Sequence, residues 1–141
     1  MKLPEMMYGA LPWKSIGVSL SSINAIKADI LAITDDPGTV KKAVLVFDEL
    51  LANIVSYSGA KKAGYFCERE DSGLLLGIFD DGAEFDPTAY AAEEKDPFNL
   101  DCGGMGLSVV AQTVKEWAYR RENGINTVLM RLQLSENQHG A

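Results

Sequence analysis

The stretch GLLLGIFDDGAEFDP, residues 73–87, changes character at Asp80. Up to Phe79 it is an apolar run short enough for one strand; after Asp80 it turns polar, with a glycine at 82 and a proline at 87. Side chains on a strand alternate between faces, so counting back by twos from Asp80 gives Ile78, Leu76 and Leu74. Asp80 thus prolongs an apolar face, where an unpartnered carboxylate is costly. A plain turn accounts for Asp81 and Gly82, whose residue types suit tight turns. It does not account for the position of Asp80.

The preceding segment KKAGYFCERE, residues 61–70, reads as an antiparallel partner strand joined through DSG at 71–73. Upstream lie a first strand in WKSIGVSL, residues 13–20, and a helix in SSINAIKADILAIT, residues 21–34, with Ile23, Ile26, Ile30 and Ile33 at helical spacing. DDPG at 35–38 supplies Asp36 as N-cap and Pro37 as first helical residue of a second helix, predicted to run to about Tyr57. Val40, Ala43, Phe47, Leu50 and Ile54 form its core stripe. Glu49 and Asn53 share another face of that helix, four residues apart. Spacing alone leaves open whether this pair meets water or a ligand.

Downstream, residues 83–102 form a polar segment longer than most loops of compact domains. It runs into CGGMGLSVVAQTVKEW, residues 102–117, a glycine cluster opening a third helix with Leu107, Val110, Ala111 and Val114 on one side. Backbone amides in such a cluster and at a helix N-terminus suit phosphate, although an ordinary loop-to-helix joint has the same look. WAYRRE, Asn123-Gly124 and INTVLMRLQL close the chain as a hairpin.

The chain has 141 residues and a formal net charge of −7. A chain of this length fits one domain that buries roughly 70% of its unfolded surface. Its apolar runs fall well short of the ~20 residues that span a bilayer, and the N-terminus lacks a continuous signal-peptide core. The expectation is a soluble cytoplasmic protein without a membrane partner. Lys and Arg make no cluster that would grip a nucleic-acid backbone. Cys67 and Cys102 form no metal or disulfide pattern, and His139 stands alone in the tail.

The order of the pieces carries more than any one of them. E-x-x-x-N on a helix, D-x-G with F-D-P after a strand, a long loop and then G-G-x-G-L into a helix resembles the ATP-binding domain of the Bergerat superfamily, which includes DNA gyrase, MutL and the histidine kinases. The closest resemblance is to the anti-sigma factor serine/threonine kinases, whose second motif, D-x-G-x-x-F-D-P, matches DDGAEFDP at 80–87. It covers residues 15–134, leaving an N-terminal arm at 1–14 and a tail at 135–141.

The resemblance implies an α+β fold: a two-layer sandwich of a mixed, mostly antiparallel sheet with three helices on one face. It implies ATP and Mg²⁺ as cofactors, with Asn53 completing the coordination of Mg²⁺ and Glu49 acting as general base or orienting the attacking hydroxyl. Asp80 would accept a hydrogen bond from the adenine amino group, and Gly82 would let the ring approach the backbone. Gly103, Gly104, Met105, Gly106 and Leu107 would surround the phosphates, with residues 83–102 as a lid. It implies a STAS-type anti-anti-sigma protein as substrate, a sigma factor as a second partner, and a homodimer. Three features depart from the pattern or qualify it. Asp81 adds a negative charge beside the expected pocket, and Lys95 is the lone base against five acids between Asp86 and Asp101. There is also no phosphoaccepting histidine helix, which argues against a self-contained histidine kinase. A nucleotide-regulated binding module with little phosphoryl transfer is the alternative, and a purely structural domain would leave all three motifs unexplained. Leu75 and Phe79, on the outward side of their strand, point to an uncovered sheet face or nearby edge that meets a partner.

Overall fold

The computed structural model describes residues 2–6, 10–93 and 104–134. The elements, in chain order, are α1 (Leu3–Met6), β1 (Lys14–Ile16), a 3-10 turn (Leu20–Ser22), α2 (Ile23–Ile33), α3 (Pro37–Asn53), a π turn (Ile54–Ser58), β2 (Ala63–Glu70) and β3 (Gly73–Asp80). They continue with α4 (Pro87–Glu93), α5 (Gly104–Thr113), β4 (Glu116–Glu122) and β5 (Ile125–Gln133). The strands form one sheet in the order β1-β2-β3-β5-β4. Every pairing is antiparallel, so the expected mixed sheet has no parallel pair among the described residues.

Local chemistry sets the helix boundaries. Asp36 Oδ2 accepts hydrogen bonds from the Thr39 amide (2.9 Å) and hydroxyl (2.6 Å), and Pro37 opens α3 where no amide partner is needed. After Asn53 the helix widens into the π turn and stops at Gly59, whose φ of 67° is left-handed. A related Asp-Pro start recurs at Asp86, whose Oδ1 accepts from the Thr88 amide at 2.9 Å just ahead of α4. Part of the segment expected as a loop is therefore helical. The β4–β5 turn has positive φ at both Asn123 (52°) and Gly124 (78°), as a tight two-residue hairpin requires.

One sheet face packs against α2, α3 and α5. Tyr65, Leu74, Leu76, Ile78, Val128, Met130 and Leu132 meet Ile26 and Ile30 of α2, Phe47 and Leu50 of α3, and Leu107 and Val110 of α5. Phe47 has no exposed surface and lies edge-on to Tyr65, with centroids 6.0 Å apart. Truncating such a ring to alanine costs about 3–5 kcal/mol. Asp29 ties α2 to the sheet by accepting from Lys14 Nζ at 2.8 Å and from the Tyr65 hydroxyl.

The opposite face is covered as well, which corrects the expectation of an uncovered one. Leu3, Leu11 and Trp13 of the N-terminal arm pack onto Phe66, Leu75 and Leu129. Trp13 stands edge-on to Phe66 (centroids 4.7 Å, 82°) and to Phe79 (5.2 Å, 84°). Gly77 makes the slot, since a Cβ there would strike the Phe66 ring. Burial on both sides explains why β3 reads as a continuous apolar run rather than an alternating one.

Candidate functional site

Asp80 ends β3 on the helix-covered face, 6% exposed. Its Oδ2 accepts from the Gly82 amide at 2.9 Å and from Asn126 Nδ2 at 3.2 Å. Asn126 lies directly across from it on β5 and is itself buried. Its Nδ2 also donates to the Ala83 carbonyl (2.8 Å), and its Oδ1 accepts from the Tyr119 hydroxyl (2.6 Å). Arg121 Nη1 donates to the Gly82 carbonyl at 2.7 Å. Both bonds that Asp80 accepts among the described residues land on Oδ2, so there Oδ1 remains for a ligand. Burial pushes the Asp80 carboxyl above the usual carboxylate range, against the opposing pull of the Gly82 and Asn126 bonds.

Beside Asp80 lies a cavity of about 480 Å³. Leu50, Ile54, Ile78, Leu107 and Val128 give it apolar walls, Asp80 and Asn53 supply polar groups, and Tyr57, Phe85 and Tyr90 bring aromatic rings. Tyr57 and Phe85 are exposed, and Phe85 and Tyr90 lie 5.5 Å apart between centroids. An apolar slot with a few placed polar groups suits a flat heteroaromatic ring.

Asp80, Asn53 and Leu107 thus come together around one cavity. Glu49 does not line it. Its half-buried carboxylate rests against Gly106 of α5, where an added Cβ would collide with Oε2 and stand 2.8 Å from Cδ. The polar face of α3 therefore looks at the start of α5 rather than into solvent. Gly104 opens α5; Gly103, the Met105 side chain and residues 94–102, Cys102 included, lie outside the described residues.

Gly82 is buried against the π turn: a Cβ there would lie 2.5 Å from the Ser58 carbonyl oxygen and 2.6 Å from its Oγ. Its closest requirement for space comes from Ser58, not from the cavity. The Asp81 carboxylate adds negative charge beside Asp80 and contributes, behind burial, to raising the Asp80 carboxyl, while its own oxygen turns away to backbone amides. Its Oδ1 accepts from the Lys61 and Lys62 amides at 2.8 and 2.9 Å, which hold its carboxyl below the usual range and anchor the entry to β2. The Cys67 thiol is pushed up to about 11 by burial and is a poor nucleophile at neutral pH.

Among the described residues no three His, Cys, Asp or Glu side chains form a metal cluster. A divalent cation at this site would take the Asn53 amide oxygen as a protein ligand and the remainder from phosphate and water. That set suits Mg²⁺, which keeps several waters and binds nucleotide phosphates.

Comparison with known families gives a match over residues 20–132 to the histidine kinase-like ATPase domain. The chain belongs to that family. Its fold is shared by solved structures of histidine kinase-like ATPase domains at low sequence identity. The histidine kinase domain of the Erythrobacter litoralis blue-light activated histidine kinase is 16% identical, with TM-score 0.53, over 96% of this chain and 71% of that one. Acinetobacter baumannii histidine kinase AdeS is 16% identical, with TM-score 0.50, over 94% and 73%. The catalytic domain of histidine kinase ThkA is 8% identical, with TM-score 0.51, over 87% and 96%. Curated protein sequences give no significant match.

Membership in the histidine kinase-like ATPase domain family gives the cavity its reading, because domains of this family bind ATP. The residues missed at the sequence level are Asn126, Tyr119 and Arg121, which hold Asp80 and its loop in place. A signal for Asn126 was present. Counting back by twos from Leu132 through Met130 and Val128 puts it on the apolar face, as the same count did for Asp80.

Proposed function

We propose that the protein is a cytoplasmic ATP-dependent serine/threonine kinase of a partner-switching system, an anti-sigma factor that phosphorylates a STAS-type anti-anti-sigma protein. The observation that carries this reading is one cavity lined both by Asp80, whose Oδ1 accepts no hydrogen bond among the described residues, and by Asn53, on the same helix as Glu49. The match of DDGAEFDP to the anti-sigma kinase motif supports the narrower class. Among the described residues no helix is long and apolar enough to cross a membrane.

Each residue then has a role. Asp80 Oδ1 accepts from the adenine amino group while Leu50, Ile54 and Val128 enclose the ring. Asn53 presents its amide oxygen to Mg²⁺, which supplies charge neutralisation at the phosphates. The unpaired amides at the start of α5, which Gly104 opens, meet phosphate oxygens, and Gly106 lets the Glu49 carboxylate lie close to that end of the helix. Glu49 takes or orients the proton of the partner serine as its oxygen attacks the γ-phosphorus and the bond to the β-phosphate oxygen breaks, releasing ADP.

The second reading, a nucleotide-regulated binding module, draws on one observation: Glu49 packs on Gly106 and does not line the cavity. Incubation with Mg-ATP and a STAS partner, followed by mass spectrometry, separates the two. The kinase reading expects one phosphate on a partner serine. No phosphate on any STAS partner, with nucleotide-dependent release of a bound sigma factor, would establish the module instead.

A further inference from the structure

Asn126 uses every hydrogen-bonding group of its amide inside the protein. Its Nδ2 donates to Asp80 Oδ2 at 3.2 Å and to the Ala83 carbonyl at 2.8 Å, while its Oδ1 accepts from the Tyr119 hydroxyl at 2.6 Å and, at 3.5 Å, from the Phe85 amide. A side-chain amide has two donors and two acceptor sites, so none is left over. The sense of the amide is forced as well. Turned over, its oxygen would face the Asp80 carboxylate and the Ala83 carbonyl, and its NH₂ would face the Phe85 N–H. Tyr119, half-buried on β4, then has an acceptor before it and gives it its hydroxyl proton. Asn126 is buried, so a lost partner is not readily replaced by water.

We propose that Tyr119 and Asn126 are positioning residues for base selection: together they keep Asp80 a hydrogen-bond acceptor, so that the cavity takes a purine with an amino group at its 6-position over one with a carbonyl there. The inference rests on the adenine reading of the cavity. Asn126 lines that cavity but has no group left for a ligand, so it acts on the base through Asp80. Its bond to Oδ2 does two things. It fixes the plane of the carboxylate, leaving Oδ1 as the oxygen for the base. It also favours the ionised form. Burial pushes the Asp80 carboxyl up and Asp81 adds to this, while the Gly82 and Asn126 bonds and Arg121 oppose it. Glu84 is the other acid lining the cavity. An Asp80 that took up a proton would donate from it, and a carbonyl oxygen would then suit the site as well as an amino group.

The same amide shapes the wall beside Asp80. By donating to the Ala83 carbonyl and accepting from the Phe85 amide, Asn126 pairs with the loop as a strand neighbour would, and Phe85 is one of the rings lining the cavity. The acceptor that reads the edge of the base and a ring beside it are thus set by one side chain. Tyr119 is the only side chain among the described residues that donates to Asn126, which makes its hydroxyl the removable part of the device.

The test compares ATP with ITP, whose base differs only in carrying a carbonyl at the 6-position and a proton on the adjoining N1. Titration calorimetry in Mg²⁺ reads Kd for both nucleotides with wild type, Tyr119→Phe and Asn126→Leu, and circular dichroism melts confirm that each protein is folded. Wild type should bind ATP about tenfold or more tighter than ITP. Each variant should lose ATP affinity while holding or gaining ITP affinity, so that the ratio falls by about threefold or more in Tyr119→Phe and approaches one in Asn126→Leu. A merely structural role would weaken both nucleotides alike and leave the ratio unmoved. Tyr119→Phe removes one oxygen and no other atom of the packing, so it decides the matter where Asn126→Leu does not fold. Folded variants that keep the wild-type ratio would overturn the proposal and leave the adenine reading standing. A wild type that binds ATP and ITP equally, or neither, would overturn that reading and the proposal with it.

Discussion

Replacing Asp80 by asparagine separates what the site costs the fold from what it does for the ligand. In the wild type both hydrogen bonds from the protein, from the Gly82 amide and Asn126 Nδ2, reach Oδ2. An asparagine keeps one oxygen for those two donors and swings its NH₂ to where Oδ1 faces the cavity. The fold therefore keeps its bonds, while the adenine amino group meets a donor instead of an acceptor. A mismatched buried polar pair costs about 1–3 kcal/mol, roughly 5- to 150-fold in Kd. Stability moves the other way. The folded carboxyl is raised above its unfolded value by burial. Its favourable contribution is thus present below the unfolded pKa and lost as pH rises through the folded one, so at neutral pH the ionised group opposes folding. Asp80→Asn should melt at the same temperature as wild type or higher at pH 7, and that advantage should shrink on acidification into the carboxylate range. Calorimetric titration with Mg-ATP and thermal melts across pH read both quantities. An unchanged Kd, or a variant that melts well below wild type at pH 7, would refute the reasoning.

Other expectations follow from individual contacts. Gly82→Ala places a Cβ against backbone and side chain of Ser58, an overpacking that typically costs about 1–3 kcal/mol, and should lower both the urea midpoint and ATP affinity. Asn126→Ala removes the donor to Asp80 and the acceptor for Tyr119, and should destabilise by a similar ~1–3 kcal/mol while loosening nucleotide binding; unaltered melting would deny it that role. The Asp29 carboxyl is held low by Lys14 and Tyr65, so its stabilisation is present above the unfolded carboxylate pKa and fades as pH falls through the lower folded value. Asp29→Asn should flatten that acid limb in pH-dependent melts. Glu49→Gln should slow transfer to the STAS partner by about 10²- to 10⁴-fold with little change in ATP affinity, and equal losses in both would assign Glu49 to binding.

Much of this arrangement was legible because strong local signals agreed with the tertiary structure. Asp36-Pro37 placed α3, the alternation ending at Asp80 placed a carboxylate on the core face, and Asn123-Gly124 placed the last hairpin. Three features were not legible, each for a physical reason. The arm around Leu3 and Trp13 has no periodicity of its own; its place is set by the slot over Gly77, which only the assembled sheet creates. Asp81 brings charge beside Asp80 as the sequence suggests, but the partners of its carboxylate, the Lys61 and Lys62 amides about twenty residues upstream, are not visible in the sequence. Asn126 gains its meaning from lying across the sheet from Asp80, a neighbour 46 positions away in the chain.

The central claim is that the Asp80 cavity takes an adenine nucleotide, and nucleotide preference tests it most directly. Adenine presents an amino donor to the Asp80 carboxylate, whereas guanine presents a carbonyl oxygen to the same acceptor. Titration calorimetry of the wild-type chain with Mg-ATP and with Mg-GTP should show saturable binding of ATP and binding of GTP weaker by about tenfold or more. No heat of binding with ATP, or equal affinity for the two nucleotides, would contradict the account.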